Sequence, residues 1–160
     1  MNIKNFLVMG LVIAIMTLAP LSAADDDVGM LDALDITPFD ADTNVTIDGI
    51  TFNVPKGYGE QKDIAKDDDT YSIGNSKITL SNHQYLNEDG DLLNLQVMFT
   101  GDKNLSADKL KSEDGMVKKT INGKEGMYSE SDGVAMFIYV QDGKCAQVTA
   151  DKDVISKVIV

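Results

Sequence analysis

The run VAMFIYVQDGKCAQVTA, residues 134–150, decides the fold class of this chain. Two apolar segments rich in β-branched and aromatic residues flank Asp142-Gly143. Both members of that dipeptide tolerate positive φ, which a two-residue type I′ hairpin requires. Folding about the turn sets Phe137 opposite Val148 and Tyr139 opposite Ala146 on one face. It sets Val140 opposite Cys145 and Ile138 opposite Gln147 on the other. Strands that are apolar on both faces belong in the middle of a sheet covered on both sides.

Outward from this hairpin the same pattern recurs. Asp48-Gly49 separates Val45 and Ile47 from Ile50 and Phe52, and the turn puts all four on one face. Pro55 closes that second strand, and residues 56–70, polar and glycine-containing, read as a loop. A further hairpin runs from Tyr71 through Ile78 and Leu80 to a turn over residues 87–91, then through residues 92–99. There Leu93, Leu95, Val97 and Phe99 share one face while Asn94 and Gln96 share the other. Asn122-Gly123 is the strongest turn signal in the chain. Its flanks, residues 118–121 and 124–128, are too polar for a buried position, so an edge hairpin is expected, with lysines discouraging further pairing. Ser106 is placed to cap a short helix ended by Glu113-Asp114-Gly115. Asp151 is placed to cap a terminal helix whose Val154, Ile155, Val158 and Ile159 follow helical spacing. The expected class is therefore α+β: a twisted antiparallel sheet built from hairpins, with a short helix near residues 106–111 and a C-terminal helix packed on the sheet.

Residues 1–5 carry one cation, Lys4, and no acid, and residues 6–21 then run apolar, interrupted only by Gly10, Thr17 and Pro20. This is the form of a secretory signal peptide. Ser22 and Ala24 put small residues at alternate positions, so cleavage after Ala24 is expected, just before Asp25, Asp26 and Asp27. The alternative is a retained anchor, but about 16 residues of helix reach roughly 24 Å against a hydrocarbon core of about 30 Å. No cysteine stands at the cleavage point to accept a lipid. Three divisions follow: residues 1–24 as signal peptide, residues 25–44 as an acidic linker with one helical turn around residues 30–34, and residues 45–160 as a single domain. The protein is expected to be secreted or displayed at the cell surface, and membrane-anchored only if residues 6–21 are retained.

The chain carries 26 acidic residues and 14 basic ones, every basic residue a lysine, for a net charge of −12. Without arginine or a clustered positive surface, nucleic-acid binding is excluded as a function class. A domain of this length buries about two-thirds of its unfolded surface and needs no disulfide, and the single Cys145 has no intramolecular partner to form one.

Residues 50–58, Ile-Thr-Phe-Asn-Val-Pro-Lys-Gly-Tyr, and residues 119–126, Lys-Thr-Ile-Asn-Gly-Lys-Glu-Gly, together with the signal peptide and the closing strand and helix, carry a resemblance. Over roughly residues 45–160 the chain resembles small secreted proteins of methanogenic archaea whose function is uncharacterised. More remotely, the phrase Phe52-Asn53-Val54-Pro55-Lys56-Gly57-Tyr58 resembles domains of the PsbP type. That resemblance implies an antiparallel sheet with helices packed on it, and a binding or assembly-supporting role exercised through partner proteins. The chain has fewer helical segments than that fold offers.

Catalytic groups are few. His83 is the only histidine, in an expected strand two residues from Tyr85 on the same face, and reads as an ordinary strand histidine. Cys145 reads as a buried structural thiol beside Val140. Of the acidic clusters, that at Glu88, Asp89 and Asp91 does not fit a calcium loop. Aligning Gly90 with the loop glycine puts Tyr85 at the first ligand position and Gln96 at the last. Asp67, Asp68 and Asp69 remain as a weak cation candidate. Asn44-Val45-Thr46 and Asn104-Leu105-Ser106 are glycosylation sequons, with Asn44 and Asn104 as acceptors. No catalytic, cofactor-binding or strong metal residue is assigned, and no cofactor is implied. The expected function is an exported non-catalytic binding or assembly module whose partner is an extracellular protein or a glycan. The alternatives are a secreted hydrolase working with paired carboxylates and a membrane-tethered structural surface protein.

Overall fold

A computed structural model describes residues 29–73, 76–102, 105–110 and 115–160. The signal-peptide reading of residues 1–24 and the acceptor Asn104 lie outside the described residues. Ten strands follow a single helical turn, α1 (Met30–Ala33): β1 (Thr43–Ile47), β2 (Ile50–Val54), β3 (Gly59–Glu60), β4 (Lys66–Ile73), β5 (Ser76–Leu86), β6 (Leu92–Phe99), β7 (Val117–Ile121), β8 (Lys124–Ser131), β9 (Val134–Gln141) and β10 (Lys144–Asp151). A 3₁₀ turn occupies Ala107–Lys109, and α2 (Ile155–Val158) closes the chain.

Four two-residue turns build the hairpins among the described residues: Asp48-Gly49, Asn122-Gly123, Asp132-Gly133 and Asp142-Gly143. Each holds positive φ at both positions, 49° and 83° in the first and 51° and 74° in the last. That conformation matches the right-handed twist of the paired strands. The β9–β10 register is the one read from the sequence, with Phe137 opposite Val148 and Cys145 opposite Val140. Hairpin β1–β2 likewise pairs Val45 with Phe52 and Ile47 with Ile50.

The large sheet is antiparallel throughout, in the order β3-β5-β6-β10-β9-β8-β7, with β4 also paired to β5. Hairpin β1–β2 forms a separate two-stranded sheet. Its Ile47, Ile50, Phe52 and Val54 pack with Ile155, Val158 and Ile159 against Leu93, Leu95, Val97, Phe137, Tyr139, Ala146 and Val148 of the large sheet. The opposite face carries two smaller apolar clusters. Leu105, Leu110 and Met116 cover Met98, Met127, Ile138 and Cys145 at one end. Leu31 and Ile36 cover Leu86 at the other.

This arrangement overturns the α+β expectation. The protein is a largely all-β fold, with two sheets of antiparallel strands and two short helices. The helix near residues 106–111 is a three-residue 3₁₀ turn without a side-chain cap bond from Ser106. The C-terminal helix has four residues, and Ile159 leaves it to bridge Phe52. Helices so short do not repay their own nucleation. The last one is held from outside: Asn122 Nδ2 donates to the carbonyl oxygens of Ser156 (2.8 Å) and Ile159 (2.7 Å), and Asn53 Nδ2 donates to that of Lys157 (3.0 Å). Cover expected from helices comes mainly from hairpin β1–β2. Residues 56–70 are not a loop throughout, since β3 and the start of β4 lie within them. In the edge hairpin, β7 is exposed as expected except at Ile121, but β8 buries Gly126, Met127 and Tyr128. Residues 30–39, within the stretch read as a linker, supply α1, the buried Leu31 and Ile36, and a bridge from Pro38 to Gly59.

Gly126 is set by packing rather than by φ. A Cβ there would lie 2.2 Å from the Ile138 carbonyl oxygen and 2.8 Å from the Phe137 ring. Gly126→Ala should therefore destabilise by roughly 3 kcal/mol. Gly133→Ala, strained at φ 85° but in open space, should cost only about 1–2 kcal/mol. Denaturant melts that rank the two the other way would contradict this packing.

Candidate functional site

The edge strand beside β5 is broken. β3 pairs Glu60 with Tyr85, and β4 resumes at Lys66 opposite Asn82, with a register shift before Asp69 pairs Leu80. His83 stands at the break. Its Nδ1 lies 2.6 Å from Glu60 Oε1 and its Nε2 lies 2.9 Å from Asp67 Oδ1. Carboxylate oxygens accept only, so holding both bonds requires a proton on each ring nitrogen, which is the imidazolium form. Burial pulls the pKa of His83 down, but the bonds to Glu60 and Asp67 and their charges outweigh it, and the net shift is upward. A ring with both nitrogens engaged has none free to take a proton from a nucleophile. The nearby hydroxyl of Ser81 already accepts from the Asp68 N–H at 2.9 Å. The cluster staples the two halves of a broken edge.

The acidic run is the bulge of that edge. Asp67 is bound to His83. Asp68 takes a φ of 54°, and Asp69 pairs with Lys66 at 3.3 Å and accepts from the Tyr71 hydroxyl at 3.3 Å. The carboxylates of Asp67 and Asp69 therefore have separate commitments, and among the described residues no three His, Cys, Asp or Glu side chains gather where a metal ion could be held. Asn44 is exposed on β1. Cys145 is buried, and desolvation pushes its thiol up to about 12. A groove of about 300 Å³ between the 3₁₀ turn and β7–β8 is lined by exposed Asp108, Lys118, Thr120 and Glu125. Its opposite charges sit together and favour neither sign of ligand.

A second feature lies on the opposite face of the large sheet, between its two apolar clusters. Cross-strand pairing aligns Gln84 with Asn94 and Asn94 with Thr149 in one row, and Asn82 with Gln96 and Gln96 with Gln147 in the next. The result is a band of carboxamides across β5, β6 and β10. Gln84 is 1% exposed, Asn94 4% and Gln147 5%. Asn82 Oδ1 accepts from Asn94 Nδ2 (3.1 Å) and Gln96 Nε2 (2.9 Å). Against these bonds, Gln84 Oε1 and Nε2, Asn94 Oδ1 and Gln147 Oε1 have no hydrogen-bond partner. A buried amide group left unpaired costs about 1–3 kcal/mol. Several of them lie together in this one buried band.

No family model, curated protein or solved structure matches the chain. Sequence reasoning placed His83 on a strand without finding Glu60 and Asp67, which reach it only through the edge pairing. The alternation of Asn94 and Gln96 was visible, but the band was not, because β6 and β10 meet across some 50 residues of chain.

Because the His83 pKa is raised on folding, its stabilisation is complete below the unfolded value of about 6.5 and is lost as pH rises through the folded one. The melting temperature should therefore decline as pH climbs from about 6 toward 8, and His83→Gln should flatten that decline. A wild-type melting temperature that is level over this range would sink the staple. Gln84→Leu, which removes an unpaired amide and keeps the volume, should raise stability by about 1–3 kcal/mol in denaturant melts. A loss of stability would show that the amide is already satisfied.

Proposed function

We propose that this protein is an exported, non-catalytic binding or assembly module of the cell surface. The observation that carries this reading is the state of the reactive groups. The histidine is held at both nitrogens, the thiol is buried, and Glu60 and Asp67 are spent on the His83 ring. Export is supported by the form of residues 1–24. Among the described residues no helix is long and apolar enough to cross a membrane. The resemblance to PsbP-type domains points to work through partners rather than turnover of a substrate.

One preparation tests both parts. Full-length protein carrying a C-terminal tag, recovered from cells that export it, should begin at Asp25 by mass spectrometry. It should retain an envelope component and turn over no glycoside or peptide substrate. Absence of capture at every salt concentration would remove the binding reading, and turnover would remove the non-catalytic one; a chain beginning at Met1 would remove cleavage.

A further inference from the structure

We propose that the Glu60, His83 and Asp67 cluster is a pH-operated latch: it holds the start of β4 against β5 in mildly acidic medium and lets residues 62–68 swing off that edge as the medium turns alkaline.

The segment it holds has few other attachments. Among the described residues, Lys66 with Asn82 is the only strand pair between the end of β3 and the register shift. Two side-chain bonds join it: the Asp68 N–H donates to Ser81 Oγ at 2.9 Å, and His83 Nε2 meets Asp67 Oδ1 at 2.9 Å. The ion pair of Lys66 with Asp69 closes within β4 and does not tie it to β5. No side chain of residues 62–68 belongs to the buried core. A segment held this way opens at a free energy well below that of global unfolding.

The latch is asymmetric. His83 Nδ1 lies 2.6 Å from Glu60, whose side chain is 25% exposed, whereas Asp67 is 73% exposed. When the imidazolium loses a proton, one N–H remains. It stays on Nδ1, where the bond is shorter and the carboxylate less able to turn to water. The proton on Nε2 passes to solvent, and the lone pair left behind faces Asp67 Oδ1, acceptor against acceptor. The exposed carboxylate then rotates into water and takes the start of β4 with it. Glu60 keeps β3 in place, and Gln61, whose N–H donates to the Gln84 carbonyl oxygen at 2.9 Å, marks one hinge. The pair of Asp69 with Leu80 marks the other. Opening bares the main chain of β5 between these two points.

The charges around the ring set the direction. Burial lowers its affinity for a proton, and Glu60 on β3 and Asp67 on β4 more than restore it. Lys66 is committed to Asp69, and Lys62 and Asp63 are exposed on the intervening turn. On β5 itself Tyr85 stays protonated, its phenol pushed up by burial and then by Glu60 and Asp67. From β6 the residue opposite His83 is Leu95, which does not titrate. The latch is therefore closed below about pH 6.5 and opens as pH rises through the higher folded value.

The test is amide hydrogen exchange by NMR on the ¹⁵N-labelled full chain at pH 6 and pH 8, expressed as protection factors so that intrinsic pH dependence is removed. Protection of the Asp68 amide should fall about fivefold between the two, beyond any change in the central strands β9 and β10. His83→Gln should abolish that difference. Asp67→Asn, whose amide can accept from the imidazolium and donate to the neutral ring, should keep the segment protected at pH 8, and it decides the matter alone should His83→Gln not fold. Equal protection at both pH values in the wild type, a fall matched in β9 and β10, or a fall that persists in either variant overturns the latch.

Discussion

Paired positive φ in two-residue turns is the constraint on which the rest of the molecule depends. A hairpin closed by Asn-Gly or Asp-Gly leaves no slack in register. Side chains alternate along a strand, so a slip of one residue would exchange the two faces. In β9 and β10 such a slip would carry Phe137, Tyr139 and Val148 away from hairpin β1–β2 and bring Gln147 and Thr149 into the apolar core. Three of these turns in succession, at Asn122, Asp132 and Asp142, fix β7 through β10 as one unit. The same turn chemistry thus places the aromatic core on one face and the carboxamides on the other.

Local signals were legible where a turn and its two strands were enough to decide the answer. The β9–β10 pairing, the β1–β2 pairing and the exposed β7 all follow from dipeptides and alternation within about 20 residues. What could not be read depends on contacts between distant segments. β4 is rich in charge and looked like loop, yet an edge strand tolerates such residues because one side of it faces water. The Asp132-Gly133 turn carries the same signal as its neighbours, but the polar residues before it hid how far β8 runs past residue 128. Terminal apolar spacing suggested a helix able to cover the sheet. Its carbonyl groups are instead completed by Asn53 and Asn122, which lie 104 and 37 residues away from their furthest acceptors. The two site features fail to show in the sequence for the same reason. Glu60, Asp67 and His83 meet only where two strand fragments share one edge, and the amide band needs the order β5-β6-β10.

The two faces of the large sheet solve the burial problem differently. One is closed by a continuous apolar core. The other interrupts its apolar cover with polar groups that have unfulfilled hydrogen-bonding capacity. A protein selected for stability alone would fill those positions with leucine or valine, which suit a central strand at no polar expense. The polar groups stand in the middle of the sheet, on β5, β6 and β10, rather than at its rim.

The lone thiol has a consequence for where the molecule can work. Cys145 sits in the apolar cluster under Leu105, Leu110 and Met116, with a pKa near 12. At neutral pH it carries almost no thiolate, the form that oxidants and disulfides attack. No crosslink within the chain supports the fold, and none can be scrambled. Once folded, the domain therefore keeps its thiol apart from the redox state of its surroundings.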